Sequence, residues 1–340
     1  MKQGSNPNIN DQPNVVVVIP CYKVSSQIID VIKKIGAECN RIIVVDDRCP
    51  EKSGALVERD CTDKRVTVIY NESNLGVGGA VLAGYRLALD CKADIVVKID
   101  GDGQMEPSLI PMFIEPIAQN KADYTKGNRF YHIPDLGNMP FTRLFGNAVL
   151  SFITKLSSGY WNNFDPTNGY TAIQASLIPL LPPEKVSNDY FFESDMLFRL
   201  NLLQAKVVDI PMPAKYSTES SNMRVSKIIP IFLYKNTRNL IKRLFYNYFL
   251  RDFSAASIKL IFGSALTIFG FLFGAWEWYA HAKAGDLAST GTVMVAVLPL
   301  VIGFQLLIAF LSFDVASTPT TPVYPRLKKN SKSRTESQIS

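Results

Sequence analysis

The stretch Asp94-Ile95-Val96-Val97-Lys98-Ile99-Asp100-Gly101-Asp102-Gly103-Gln104 is an apolar run that ends in two carboxylates one residue apart, with one glycine between them and another after them. Three earlier runs share its character: Val15-Val16-Val17-Val18-Ile19, Arg41-Ile42-Ile43-Val44-Val45 and Val66-Thr67-Val68-Ile69-Tyr70. Each is apolar along its length instead of alternating, which is the pattern of parallel strands covered on both faces. Between them, Ser26 to Ile35, Gly54 to Glu58 and Gly79 to Leu89 carry apolar residues at helical spacing. Strand, helix, strand, helix in that order predicts a doubly wound, mostly parallel α/β sheet. Such sheets bind ligands at the carboxyl ends of their strands. The polar clusters fall there: Pro20-Cys21-Tyr22-Lys23, Asp46-Asp47, Asn71 to Asn74, and Asp100-Gly101-Asp102.

Two like charges at a strand end repel, and a divalent cation between them removes the cost. Mg²⁺ or Mn²⁺ suits such a pair, since hard cations take oxygen ligands from one or two carboxylates and from substrate phosphates. Gly101 and Gly103 would leave room for a diphosphate. A solvated turn is the plain alternative, because Asp-Gly is a common turn dipeptide. Asp46-Asp47 has the form of a base- or ribose-binding pair, and Tyr22 can pack on a base. Asn74-Leu75-Gly76-Val77-Gly78-Gly79-Ala80 is a glycine-rich turn entering a helix, read either as tight packing or as a phosphate seat. It is neither a P-loop, lacking GKS or GKT, nor G-x-G-x-x-G after the first strand.

With 340 residues, the chain has room for one large domain or two ordinary ones. The hydrophobic fraction is 47% and mean hydropathy is positive despite 19% charged residues, with the apolar residues concentrated after Ser257. Five cysteines without CxxC spacing and two histidines support neither a zinc cluster nor a disulfide framework. The net charge of +6 is not the footprint of nucleic-acid binding. Much of the excess lies from Lys227 to Lys259 and in Arg326-Leu327-Lys328-Lys329, flanking apolar segments, as cytoplasmic flanks of membrane spans do.

Lys227 to Phe253 mixes apolar and aromatic residues with Lys235, Arg238, Lys242, Arg243 and Arg251, a basic amphipathic pattern suited to a membrane surface, or to a helix packed on the domain. Ile258 to Ala280 and Thr292 to Phe313 each reach about the 20 apolar residues that cross a bilayer. His281 to Gly291 between them carries little charge, so the positive-inside rule predicts a short outside turn, with the first domain and both termini in the cytoplasm at the plasma (inner) membrane. The expected layout is a disordered N-terminus over 1–13, an α/β catalytic domain over 14–226, juxtamembrane amphipathic helices over 227–256, two transmembrane helices over 257–315 and a disordered basic tail over 316–340.

Taken in order, Val17-Val18-Ile19-Pro20-Cys21-Tyr22, Val44-Val45-Asp46-Asp47, Asn74 to Ala80, Asp100 to Gln104 and Gly127-Asn128-Arg129-Phe130 resemble the family 2 glycosyltransferases of GT-A fold, in particular the polyprenyl-phosphate branch of the dolichol-phosphate-mannose synthase type. The resemblance covers about Val15 to Lys227 and extends in layout to the two spans. It implies that Pro20, Tyr22 and Asp47, with Asp46 and Gly76 beside them, line the nucleoside-diphosphate-sugar pocket. It implies further that Asp100 and Asp102 hold Mg²⁺ or Mn²⁺ and the sugar diphosphate, with Gln104 and Arg129 completing that pocket. Asp165-Pro166-Thr167-Asn168-Gly169 is similar to the acceptor-side D-x-x-S-G segment, with Asn168 where serine is common. Phe191 to Met196 resembles the acidic helix start beneath the acceptor, or is simply a helix N-terminus with well-placed carboxylates. Arg224 or Lys227 resembles a cation on the leaving diphosphate.

The implied reaction is a single displacement with inversion onto a polyprenyl (undecaprenyl or dolichyl) phosphate, with Asp102, Arg129, Glu193 and Asp195 as the catalytic set. A phosphate monoester has a second pKa of about 6, so the acceptor oxygen is already ionised and no strong base is needed. That agrees with the absence of histidine from the motifs, His132 excepted. A homo-oligomer is compatible with the sequence. The rival enzyme is a glycan-acceptor transferase in cell-envelope polysaccharide synthesis, but the processive Q-x-x-R-W motif is absent: no arginine precedes Trp161, Trp276 or Trp278. A non-catalytic membrane scaffold is the rival from another class, and it leaves Asp100 and Asp102 without a purpose.

Overall fold

The structure, a computed structural model, describes residues 12–131, 141–213 and 225–325, with the side chains of 141–144 and 225–228 left aside. The chain divides into two units, 1–239 with 319–340, and 240–318. Among the described residues, the first unit carries a seven-stranded sheet in the order β3-β2-β1-β4-β6-β5-β7. Its strands are β1 Val15–Cys21, β2 Arg41–Asp46, β3 Val66–Tyr70, β4 Ile95–Lys98, β5 Tyr124–Asn128, β6 Thr171–Gln174 and β7 Val207–Pro211. All neighbours run parallel except those of β6, which is antiparallel to both β4 and β5. The expected doubly wound, mostly parallel sheet is therefore observed. The strand order turns outward in both directions from β1 and β4, which places a crevice at their carboxyl ends.

Strands β1, β2 and β4 are covered on both faces, as their composition requires, while β3 at the sheet edge is only half-buried. Val15, Val17, Ile19, Ile42, Val44, Ile95 and Val97 face one core with Ile28, Val31 and Ile32 of helix α1 (Ile28–Lys33), Val57 of α2 (Ser53–Asp60), and Phe113 and Ile117 of α4 (Ile110–Ala118). Val16, Val18, Ile43, Val45 and Val96 face the other, with Val81 and Tyr85 of α3 (Gly76–Asp90) and Met196 and Leu200 of α6 (Phe192–Leu202). Between these helices in sequence, α5 spans Phe141–Ser158. Each fully buried aliphatic side chain contributes roughly 1.5–3 kcal/mol against exposure.

Asp123 at the foot of β5 is completely buried and accepts three backbone amides: Lys206 at 2.8 Å, Val323 at 2.8 Å and Tyr324 at 2.9 Å. A buried carboxylate needs donors, and here the chain after the second apolar helix supplies two of them.

Helix α7 (Val225–Phe245) continues from the first unit into the second, where a π-helical turn (Tyr246–Arg251) leads to α8 (Ala255–Ala284) and α9 (Thr290–Ala316). Within the first unit α7 is tied down by Asn236, which accepts from Ser157 at 2.5 Å, and by Lys235, 2.6 Å from Asp189, while Ile229, Leu233 and Tyr234 are exposed. Helices α8 and α9 contain both expected spans, and only about a tenth of each apolar window is covered by protein. An apolar surface of that extent is tolerated in lipid and not in water. They pack closely through small residues: a Cβ on Gly270 would stand 2.7 Å from the Ala296 carbonyl, and one on Gly303 2.5 Å from Thr267 Oγ1. Near the end of α9, Asp314 is buried and accepts Arg243 in bidentate fashion at 2.6 and 2.9 Å and the Tyr248 hydroxyl at 2.6 Å.

Gly84 in the middle of α3 lies on β1: a Cβ there would meet Val18 Cγ1 at 2.3 Å and Val45 Cγ2 at 3.2 Å. Gly84→Ala, which raises intrinsic helix propensity by about 1 kcal/mol, should therefore destabilise by about 1–3 kcal/mol through overpacking. Thermal melting of the detergent-solubilised chain reads this, and an equal or higher melting temperature would contradict the packing.

Candidate active site

The carboxyl ends of β1 and β4 carry Tyr22, 45% exposed, half-buried Pro20, and the half-buried side chains of Asp100, Asp102 and Gln104. Arg129, also half-buried, follows β5. The Lys23 ammonium lies 5.6 Å from the centre of the Tyr22 ring. Beside this opening sits a residue that the sequence analysis passed over. Lys98, the last residue of β4, is 1% exposed, and its Nζ is 2.9 Å from Asp100 Oδ1 and 3.0 Å from Glu193 Oε1. Burial opposes its charge, but Asp100 and Glu193 outweigh burial and hold the ammonium well above the ordinary lysine value. Gly169 makes room for the cluster, since a Cβ there would stand 2.4 Å from Lys98 Nζ and 2.8 Å from Asp100 Oδ2.

Asp102 accepts the Gln104 amide at 3.0 Å. Burial first, and the charge of Asp100 second, raise its carboxyl above the ordinary carboxylate value. Asp100 and Glu193 thus share one ammonium, and with Asp102 beside Asp100 the carboxylates outnumber it. That oxygen-rich, negatively charged setting fits a hard divalent cation. Among the described residues no group of three or more His, Cys, Asp or Glu side chains is placed to hold a metal alone. A cation at Asp100 and Asp102 would therefore need oxygens from its substrate, as Mg²⁺ sites on phosphates commonly do. The glycines act differently from expectation. Gly101 packs the loop on α1, where a Cβ would be 2.9 Å from Ile28 Cδ1, and Gly103 takes a left-handed turn at φ 74°.

Several expected ligand residues also bond to the protein itself. Asp46 is buried and accepts the amides of Cys49 and Gly54, both at 2.7 Å, capping the turn into α2. Asp47 is buried and accepts Asn71 Nδ2 at 2.8 Å and the amides of Leu75 at 2.9 Å and Gly76 at 2.8 Å. The glycine-rich turn is a packing turn: a Cβ on Gly76 would stand 2.4 Å from the Asn188 carbonyl, and that carbonyl accepts the Gly78 amide at 2.9 Å. Asp46 and Asp47 thus hold turn amides, and Gly76 packs closely on Asn188. Asp195, expected in the catalytic set, is likewise bonded within the protein. It is 1% exposed and accepts Ser187 N at 3.0 Å, Arg199 Nε at 2.9 Å and Asn239 Nδ2 at 3.0 Å.

Arg129 and Asp165, assigned from the sequence to opposite sides of the site, are one pair. The guanidinium donates to both Asp165 oxygens at 2.7 Å, and the Arg129 amide adds a third bond at 3.2 Å. Asn168 Nδ2 donates a fourth at 3.0 Å, and its Oδ1 accepts the Tyr170 amide at 3.0 Å. These bonds hold Asp165 at a left-handed φ of 54°. Burial alone would raise its carboxyl, but Arg129 brings it below the ordinary value. Asp165 and Asn168 are thus a bracket for Arg129, since their polar atoms face protein. Arg224 and His132 lie outside the described residues, and Lys227 belongs to α7 with its side chain outside them.

Residues 16–179 match the description Glycosyl transferase family 2. The chain is 28% identical over 229 residues to the UDP-N-acetylglucosamine–dolichyl-phosphate N-acetylglucosaminyltransferase of Methanococcus voltae, covering 63% of this chain and 90% of that protein. It is 30% identical over 173 residues to the undecaprenyl-phosphate mannosyltransferase of Micrococcus luteus, covering 50% of this chain and 70% of that one. In fold it is similar to the glucosyl-3-phosphoglycerate synthase of Mycobacterium tuberculosis, solved with Mn²⁺, uridine diphosphate and glucosyl-3-phosphoglycerate, with a TM-score of 0.51 and 15% identity over 68% of this chain and 80% of that one.

Asp195→Asn should cost about 2–4 kcal/mol of stability by loosening a buried ion pair and its amide bonds, while donor affinity of the folded protein stays unchanged. Thermal melting beside a nucleotide titration separates the two. Lost donor binding or lost transfer at full stability would return Asp195 to the catalytic set expected from the sequence.

Proposed function

The chain belongs to glycosyl transferase family 2, and from that premise we propose that it is a membrane-bound enzyme that moves a sugar from a nucleoside diphosphate onto a polyprenyl phosphate. The observation that carries this reading is the half-open carboxylate cluster at the β1–β4 crevice in a chain that also bears two bilayer-length apolar helices. The two relatives named above act on dolichyl and undecaprenyl phosphate by their names, which supports a lipid acceptor here.

In this reading Tyr22 and Pro20 face the nucleoside, and Asp100 and Asp102, with Gln104 beside them, take the sugar diphosphate side. A divalent cation, Mg²⁺ or Mn²⁺, would be held by Asp100 and Asp102 and would neutralise diphosphate charge. Arg129, kept in one orientation by Asp165, presents a fixed cation to the charge that develops on the leaving diphosphate. Lys227 or Arg224 would add a second. The bond from the anomeric carbon to the diphosphate oxygen breaks as an acceptor phosphate oxygen bonds the opposite face, so configuration inverts. That oxygen is already ionised near neutral pH, with a second pKa of about 6, so Glu193 orients the acceptor and need not take a proton. Asp46, Asp47, Gly76, Asp165, Asn168 and Asp195 act by holding the loops. The basic flanks of the spans favour a cytoplasmic active site at the plasma (inner) membrane, with both chain ends on that side.

The test is the full chain in lipid nanodiscs with radiolabelled UDP- and GDP-sugars, undecaprenyl or dolichyl phosphate, and Mn²⁺. One donor should label the lipid, and Asp102→Ala should cut transfer by about 100-fold or more without lowering the melting temperature. If no bound donor labels either lipid, the lipid-acceptor reading fails.

A further inference from the structure

Lys98 is the one residue in the described site that touches both proposed halves of the reaction. Its Nζ is 2.9 Å from Asp100, on the donor side, and 3.0 Å from Glu193, on the acceptor side. The three side chains differ in access: Lys98 is 1% exposed, Glu193 11% and Asp100 31%. The ammonium is therefore sealed behind carboxylates that reach toward the opening, and it cannot itself meet a substrate. Its place is fixed by construction. Lys98 pairs in register with Thr171 of β6, and the missing side chain at Gly169 leaves the gap that Nζ and Asp100 fill. Tyr85 and Tyr124 are buried close enough to feel the cluster's charges, and they bring no formal charge of their own.

Resting on the metal and diphosphate roles given to Asp100 and Asp102 above, we propose that Lys98 is a positioning residue, an internal counter-cation that competes with the divalent cation for Asp100 and passes the result to Glu193. One ammonium is shared between two carboxylates. While it neutralises part of Asp100, a bare cation finds a weaker site, and the oxygens of a donor diphosphate strengthen that hold. Once Asp100 gives its charge to that cation, the share left to Lys98 falls on Glu193 and fixes the acceptor-side carboxylate. Such coupling is reciprocal: whatever draws Lys98 away from Asp100 strengthens cation binding there.

Two substitutions at the same buried cluster should then shift metal affinity in opposite directions. In nanodiscs, with Mn²⁺ alone titrated and free Mn²⁺ read by electron paramagnetic resonance, Lys98→Met should bind Mn²⁺ about tenfold or more tightly. Glu193→Gln should bind it more weakly, since Lys98 then belongs wholly to Asp100, and Lys98→Arg should stay near the unsubstituted chain. Simple damage to the core would weaken both. The proposal is overturned if both shift the same way, if Lys98→Met leaves the affinity unchanged, or if the unsubstituted chain binds no Mn²⁺. Should Lys98→Met fail to fold, Glu193→Gln decides alone, and unchanged or tighter binding there rejects the proposal. Because the titration needs neither sugar nor acceptor, opposite shifts without any labelled lipid would sink the transfer reading and leave this one standing.

Discussion

A lysine with 1% exposure stays charged only where carboxylates meet it, and the Lys98 contacts with Asp100 and Glu193 set that condition for the whole crevice. To satisfy it, β4 must end beside the first turn of α6, which delivers Glu193. Strand β6 must run beside β4 in the antiparallel sense to bring Gly169 against the ammonium. The reversed strand in an otherwise parallel sheet is thus tied to an electrostatic requirement. Asp102, two positions after Asp100, lies against this cluster, and burial first and the Asp100 charge second raise its carboxyl.

Features set by local pattern were legible from residues alone. The four β-branched runs became β1 to β4, three of them covered on both faces as their apolar composition requires and β3 half-buried at the edge. The spans were legible for the same reason, since length and apolarity are sufficient for crossing a bilayer. The site was legible only in part. Asp46, Asp47, Asp100 and Asp195 are alike as letters, and what separates them is which backbone amides the fold brings within reach. Asp46 receives amides from the segment directly after β2 and Asp47 from the turn after β3, contacts that spacing does not reveal. Arg129 and Asp165 stand 36 positions apart, and only the fold joins them. Lys98 did leave a signal: a lysine inside a run covered on both faces must have a buried anionic partner.

The membrane unit repeats the logic of the crevice in a different medium. A carboxylate close to the C-terminus of a helix opposes the helix dipole, and Asp314 sits there in α9, buried. The bidentate Arg243 and the Tyr248 hydroxyl offset that cost and tie the last turns of α7 to the end of the second span. The close glycine contacts between α8 and α9 do the same work for the hairpin through shape instead of charge.

The Asp123 clamp gives the chain an order of assembly. Its carboxylate belongs to β5, yet two of its amide donors, Val323 and Tyr324, come after both apolar helices. While the chain is being made, Asp123 holds only the Lys206 amide until residue 324 has left the ribosome and the hairpin is behind it. The sheet is therefore finished last at its own foot, and the hairpin is a closed insertion within the sheet-bearing unit.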